Sequence, residues 1–225
     1  MSIIKEDMAL TYKGRISKEF TLPDFGDAFG KELKPAEYLV VLAPHEDLYN
    51  KIMKLKQEFA ATYENTMTTA LKLHIAIVRF SQYEMKEQQL QNRIKLLAMS
   101  LPAFKVDLED FGSFPSHTIY IKVKTQEPIK AIAKKLKEAQ TLMTINKDNK
   151  PHFMSEPHIA IARKLLPWQY EKGWLEYSNS HFKGSFIADQ LLFLKRASGS
   201  KAYQVVDRFK LENLPVDVKQ GDLFG

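Results

Sequence analysis

His74-Ile75-Ala76-Ile77-Val78-Arg79 and His158-Ile159-Ala160-Ile161-Ala162-Arg163 are two copies of one pattern, His-Ile-Ala-Ile-x-Arg. A six-residue pattern that recurs once at this distance points to two related halves, each carrying one copy. Each copy reads as a strand, because side chains alternate between the faces of a sheet. In the first, Leu71, Leu73, Ile75 and Ile77 share an apolar face, and Lys72, His74, Ala76 and Val78 share the other. In the second, Ile159 and Ile161 take the apolar face and His158, Ala160 and Ala162 the opposite one. Each histidine therefore stands away from the core, with a small residue two positions on. Two such strands facing one another would set two imidazoles across a cleft.

Composition narrows what the rest can be. The chain has 225 residues and is 44% hydrophobic, enough for one large domain or two lobes sharing a core, and not a disordered protein. It contains no cysteine, which excludes disulfides, thiolate catalysis and cysteine metal sites and fits a reducing cytoplasm. No run approaches the ~18 apolar residues of a membrane-spanning helix. Met1 to Asp7 lacks the basic-then-apolar plan of a signal peptide, so a cytoplasmic protein is expected. A net charge of +6 favours a polyanionic partner such as nucleic acid, although many soluble proteins carry as much and bind nothing acidic.

Around the two motifs the chain reads as alternating strands and helices. Tyr38 to Ala43 is a short apolar run, a central strand, ended by Pro44. Glu46 and Asp47 suit a helix start, and Leu48, Ile52, Leu55 and Phe59 give it an apolar stripe. Residues 84–99 form a second helix with Leu90, Ile94, Leu97 and Leu101 as its stripe and Pro102 as its stop. Phe104 to Leu108 and Ile119 to Val123 alternate as strands and are joined by a turn around Gly112 to Ser116. The second half repeats the plan: a helix from Pro128, the loop Asn146 to Lys150, the second histidine strand, and a helix from Pro167. Strands follow at Phe182–Phe186, Leu191–Lys195 and Ala202–Phe209, the last two joined by Ser198-Gly199-Ser200. The expected organisation is an irregular leader at 1–36, one bilobal body at 37–210 and a polar, flexible tail at 211–225.

Two facing histidines can divide acid–base work, since imidazole titrates nearest neutral pH. One, neutral, takes a proton from an attacking oxygen; the other, protonated, gives one to a leaving oxygen. That suits phosphodiester chemistry on RNA, and either histidine could take either role. His45, His117, His152 and His181 stand alone and read as surface or loop residues. Glu156 shares a strand face with His158, but a zinc site needs a third ligand and nothing comparable lies near His74, so no metal or other cofactor is expected. Arg79 and Arg163 lie five beyond each histidine, an odd offset that puts them on the opposite face or at the strand end. From the cleft rim they could reach phosphate. Phe80, Tyr83, Phe153 and Trp168 are near enough in sequence to stack on a base, though such aromatics are usually core.

The paired motif resembles that of the two-histidine phosphoesterase superfamily, in particular its 2′-5′ RNA ligase-like and cyclic phosphodiesterase branch. That family carries a His-x-Thr/Ser-x motif in each of two lobes, the second often preceded by proline. Here the copies are Leu73-His74-Ile75-Ala76 and Pro157-His158-Ile159-Ala160, and the element order matches over about 37–210. The resemblance implies an α+β bilobal fold of two pseudo-symmetric lobes, each an antiparallel sheet flanked by helices, with a cleft between them. It implies His74 and His158 as catalytic residues, positions 76 and 160 as phosphate-binding, and a 2′,3′-cyclic phosphate, cyclic nucleotide or 2′-5′ linked substrate. Ala76 and Ala160 replace the family's hydroxyls, and each lost donor to a charged group costs about 1.5–3 kcal/mol. The expected activity is therefore an RNA or nucleotide phosphodiesterase or ligase. The alternative is a catalytically weak or inactive nucleotide-binding member of the same fold.

Gln220-Gly221-Asp222-Leu223-Phe224 resembles the short peptide by which bacterial proteins dock on the DNA polymerase sliding clamp, so Gln220, Asp222, Leu223 and Phe224 are candidate contacts for that partner.

Overall fold

The computed structural model describes residues 35–65 and 73–215. The leader, apart from its last two residues, lies outside them, as do Leu71, Lys72 and the clamp-like peptide at 220–224. Among the described residues the strands are β1 (Pro35–Leu42), β2 (Ile75–Tyr83), β3 (Phe104–Phe114), β4 (Thr118–Val123), β5 (His152–Phe153), β6 (His158–Arg163), β7 (Lys183–Ala188), β8 (Gln190–Arg196) and β9 (Gln204–Lys210). The helices are α1 (Glu46–Thr62), α2 (Glu87–Met99), α3 (Glu127–Leu136), the single turn α4 (Gln140–Met143) and α5 (Pro167–Tyr177). None of them is long and apolar enough to cross a membrane.

The strands form two antiparallel sheets. One has the order β5-β2-β1-β8-β9 and the other β6-β4-β3-β7. Each sheet holds one histidine strand, so the fold is the α+β bilobal arrangement expected. The lobes are not the two halves of the sequence. The hairpin β3–β4, from the first half, completes the sheet of the second histidine, and β8–β9, from the last quarter, completes the sheet of the first. The helices cross over as well: α1, which precedes the first motif, packs on β6 and β7, and α2 to α4 cover β2, β8 and β9.

Hydrophobic pattern explains which faces the helices cover. On the first sheet Tyr38, Phe80 and Phe193 are buried and stack across three strands, with Tyr38 5.5 Å from Phe80 and 5.2 Å from Phe193. Against this row lie Leu90, Ile94 and Leu97 of α2, spaced as the sequence indicates. Burying each such side chain is worth about 1.5–3 kcal/mol. On the second sheet Val106, Ile119, Ile121, Ile159 and Ile161 meet α1 and α5. The stripe of α1 departs from expectation: Leu48, Ile52 and Phe59 are buried, but the third buried position is Lys56 and not Leu55. Burial and the charge of Arg163 pull the Lys56 amine down to about 8.

Two buried amides tie elements together. Gln82 donates from Nε2 to the carbonyl of Leu142 at 2.8 Å and accepts the Tyr83 N–H at 2.8 Å, fixing the end of α4 to β2. Gln169 accepts the N–H of Leu166, capping α5, and donates to the Tyr63 carbonyl at 2.7 Å, holding the end of α1. Beyond β9 the chain stays attached: the N–H groups of Leu211, Asn213 and Leu214 donate to the carbonyls of Asp189, Leu101 and Met99. These contacts tie residues 211–214 to the ends of α2 and β7.

Candidate active site

Cross-strand register decides what faces the cleft. Residues directly opposite one another share a sheet face. In β1–β2, Val40 pairs with Val78 but Val41 pairs with Ala76, so Ile77 is an extra residue, a β-bulge. In β4–β6, Ile119 pairs with Ala162 but Tyr120 pairs with Ala160, so Ile161 is extra in the same way. The two motifs bulge at the same fourth position. Alternation resets after each bulge, so Ile77 and Val78 both pack into the core, as do Ile161 and Ala162.

The bulge corrects the expectation for the arginines. Arg79 is opposite Leu39 and Arg163 is opposite Thr118, on the faces that carry Ala76 and Ala160. Ala76 and Arg79 therefore share a face of one sheet, just after His74, and His158, Ala160 and Arg163 share a face of the other; β2 and β6, which carry them, approach each other. The odd spacing, which in an ideal strand turns the arginines away, here brings them to the histidine side.

His158 is half-buried, with its Nδ1 2.8 Å from the carbonyl of Glu156. A carbonyl only accepts, so Nδ1 carries the proton and Nε2 keeps its lone pair. Burial, helped by the Arg163 charge, lowers the imidazole pKa below its usual value, and the Glu156 carbonyl partly opposes the shift. His158 is therefore neutral near pH 7 with a free acceptor nitrogen. His74 is half-buried and immediately precedes β2.

Arg163 is half-buried, and burial first and the charge of Arg79 second lower its pKa. The Lys56 ammonium is repelled by Arg163 in turn. Among the described residues no carboxylate forms an ion pair with Arg79 or Arg163, whereas the neighbouring Arg196 pairs with Glu37 and Lys195 with Glu84 and Glu87. Guanidiniums are the side chains best shaped to bind phosphate or carboxylate bidentately.

Of the aromatics near the motifs in sequence, Tyr83 ends β2 on the face of Arg79, and the others lie elsewhere. Phe80 is core, Phe153 packs on the core beneath Lys137, and Trp168 lies at the start of α5 under Lys172. Phe114 and Tyr120, on the β3–β4 hairpin, flank His158 instead, with ring centroids at 5.0 and 4.9 Å from the imidazole and 4.8 Å from each other. Tyr120 stands between Gly112 and Ala160, the smallest residues available. Its ring lies over Gly112, where a Cβ would come within 2.6 Å of it. The signal in the sequence is alternation within 118–123, which puts Thr118, Tyr120 and Lys122 on one face; that this face meets His158 needs the pairing.

The other histidines divide. His45 hydrogen-bonds the Ile187 carbonyl at 2.8 Å and His181 lies 3.3 Å from Asp110, both at the surface. His117 bonds Thr118 at 2.7 Å. His152 is exposed but stands opposite Arg79 in the β2–β5 ladder, on the cleft side of the sheet. Among the described residues no three His, Asp or Glu side chains cluster as metal ligands, and Glu156 meets His158 through its backbone.

Solved structures with this fold include TT0787 of Thermus thermophilus, with 13% identity and a TM-score of 0.56 over 78% of this chain and 98% of that one. E. coli LigT complexed with NADP+ aligns with 15% identity and a TM-score of 0.53, covering 80% and 99%. LigT complexed with 3′-AMP aligns with 16% identity and a TM-score of 0.54, covering 79% and 98%. A search of curated proteins finds no match. The 2′-5′ RNA ligase superfamily matches residues 44–200, which span α1 to β8 and include both histidine motifs. With one bulged motif in each of its two sheets and this match over most of its length, the chain belongs to the 2′-5′ RNA ligase superfamily.

Proposed function

We propose that the chain is a metal-independent phosphodiesterase or 2′-5′ RNA ligase-like enzyme acting on nucleotides or RNA ends, with 2′,3′-cyclic phosphates or 2′-5′ linkages as substrates. The observation that carries this reading is that each sheet holds one copy of the histidine motif, with His158 bonded through Nδ1 to the Glu156 carbonyl and an arginine without a carboxylate partner among the described residues on the motif face of each strand. The complex of LigT with 3′-AMP, in a protein of the same fold, supports a nucleotide ligand. The cysteine-free sequence suits a cytoplasmic setting.

In this reading His158 is the general base for hydrolysis of a cyclic phosphate. Its Nε2 takes the proton of a water whose oxygen forms the new P–O bond. The bond from phosphorus to the ribose 2′ or 3′ oxygen breaks, and His74, protonated, gives that oxygen its proton. The product is a phosphomonoester. With a ribose hydroxyl in place of water the same steps form a phosphodiester. Arg79 and Arg163 hold the non-bridging oxygens in place of the absent motif hydroxyls at Ala76 and Ala160. Phe114 and Tyr120 offer a face to the base.

Turnover of 2′,3′-cyclic nucleotides and 2′-5′ dinucleotides, with and without EDTA, tests the proposal. Activity that persists in EDTA and is lost in both His74→Ala and His158→Ala is expected; full rates in both variants would refute it. A second reading, a binding protein without turnover, is favoured by Ala76 and Ala160. Nucleotide binding with no turnover in the wild type would select it.

A further inference from the structure

We infer that the cleft prefers a phosphate carrying two negative charges, a phosphomonoester on a nucleoside, over the singly charged diester of the same nucleoside. The inference rests on the reading of the cleft as a phosphoester site and adds the charge state that site selects.

Matched bulges bring Arg79 and Arg163 to the histidine faces of two strands that approach each other. Among the described residues neither guanidinium has an acidic partner, although Arg196 and Lys195 nearby are paired with glutamates. Arg163 is half-buried, and its charge is opposed both by Arg79 and by the wholly buried Lys56. One negative charge can relieve only part of that repulsion; two can match both guanidiniums. The Thr or Ser hydroxyls that the related motif carries are neutral and would favour a dianion over a monoanion less than a guanidinium does. Replacing them with Ala76 and Ala160 while arginines take the contact changes that balance.

The consequence for the proposed reaction is direct. A cyclic phosphate enters with one negative charge. Attack by the water oxygen makes a five-coordinate phosphorus group with a second charge, so the arginines bind the transition state better than the substrate. The phosphomonoester that leaves also carries two charges near neutral pH, since its second ionisation lies at about 6. The enzyme therefore holds its own product more tightly than its substrate.

The test is calorimetric titration of the full chain with a 2′-deoxynucleoside 3′-phosphate and with its methyl diester. Neither ligand is a cyclic phosphate or a 2′-5′ linked ester, the proposed substrates, and recovery of intact diester after the titration confirms that binding is read without turnover. At pH 7.5 the monoester is expected to bind about tenfold tighter or more. At pH 5, where it is mostly a monoanion, the preference should fall toward unity, with the diester controlling for changes in histidine charge. Arg79→Gln should reduce the preference at pH 7.5 to about threefold or less, with circular dichroism confirming the fold. Equal affinity for the two ligands at pH 7.5, or a preference untouched by Arg79→Gln, overturns this inference alone. Binding of neither ligand overturns it together with the phosphoester reading.

Discussion

Arg79 stands directly opposite Leu39 in the β1–β2 ladder, on the face that carries Ala76, because Ile77 bulges out of register. Arg163 reaches the same position in its own sheet through the bulge at Ile161, and it is the more buried of the two. A charged hydrogen bond to phosphate from such a site is worth about 1.5–3 kcal/mol. Arg163→Gln is expected to lower kcat/KM by roughly ten- to a hundredfold, and Arg79→Gln by less. Steady-state kinetics on a cyclic nucleotide measures both.

The lowered pKa of His158 gives a pH prediction with a definite sign. A general base works when neutral, so activity should persist below the ordinary imidazole value of about 6.5 and fall only as pH drops through the depressed pKa. Removing the Arg163 charge takes away one of the lowering causes, so Arg163→Gln should move the acid limb of the kcat/KM profile upward. A limb that stays in place would show that this arginine does not act on the imidazole. The same depression affects folding. The unfolded chain gains its proton first as pH falls below about 6.5, so this histidine costs stability progressively from there down to its folded-state pKa.

Restoring the absent hydroxyls separates two accounts of the alanines. If the arginines have taken over the phosphate contact, Ala76→Thr and Ala160→Thr should change kcat by less than about tenfold, alone or together. A rise of several orders of magnitude in the double variant would mean that nothing had replaced them. Single-turnover rates on a 2′,3′-cyclic nucleotide decide the matter.

Gly112 gives the Tyr120 ring a place to lie. A methyl group there would sit 2.6 Å from the ring, which must then lift toward Ala160 and His158. Gly112→Ala is expected to raise KM several-fold with little change in the thermal midpoint, because the ring is only half-buried and can move. Combining it with Tyr120→Leu should restore most of the affinity. KM values for the two variants check this.

Gln82→Leu should destabilise the fold without touching the cleft. It leaves the Leu142 carbonyl and the Tyr83 N–H without the partners they have now. Each unsatisfied buried group costs about 1–3 kcal/mol, so a clear drop in the urea midpoint is expected while KM stays unchanged.

Much of the architecture could be read from periodicity. The strand–helix order, the stripes of α2 and α3 and the turn at Gly199, which adopts φ of 83°, follow from spacing and residue type. The two histidines could be found because their context repeats. Three things needed coordinates. Strand partners depend on long-range pairing, so the place of β8–β9 beside β1 and of β3–β4 beside β6 is invisible to local pattern. A bulge has no fixed residue signature at Ile77 or Ile161, so ideal alternation left the arginines on the opposite face or at the strand end; Arg163 does end β6, whereas Arg79 is inside β2, and both stand on the face of the motif alanine. Phe114 and Tyr120 are far from both motifs in sequence, so nearness in the chain pointed to Phe80, Phe153 and Trp168 instead.

Because β1 and β2 need β8 as their neighbour, and β6 needs β4, neither motif can be cut out with a complete sheet around it. A fragment stopping in the Asn146–Lys150 loop would retain the first histidine but expose the open flank of β1, and the complementary fragment would present β6 with no strand to receive it. Splitting the chain there should yield two aggregation-prone pieces that regain activity only when mixed. During synthesis the first histidine would likewise wait for the last strands to emerge before its sheet could close.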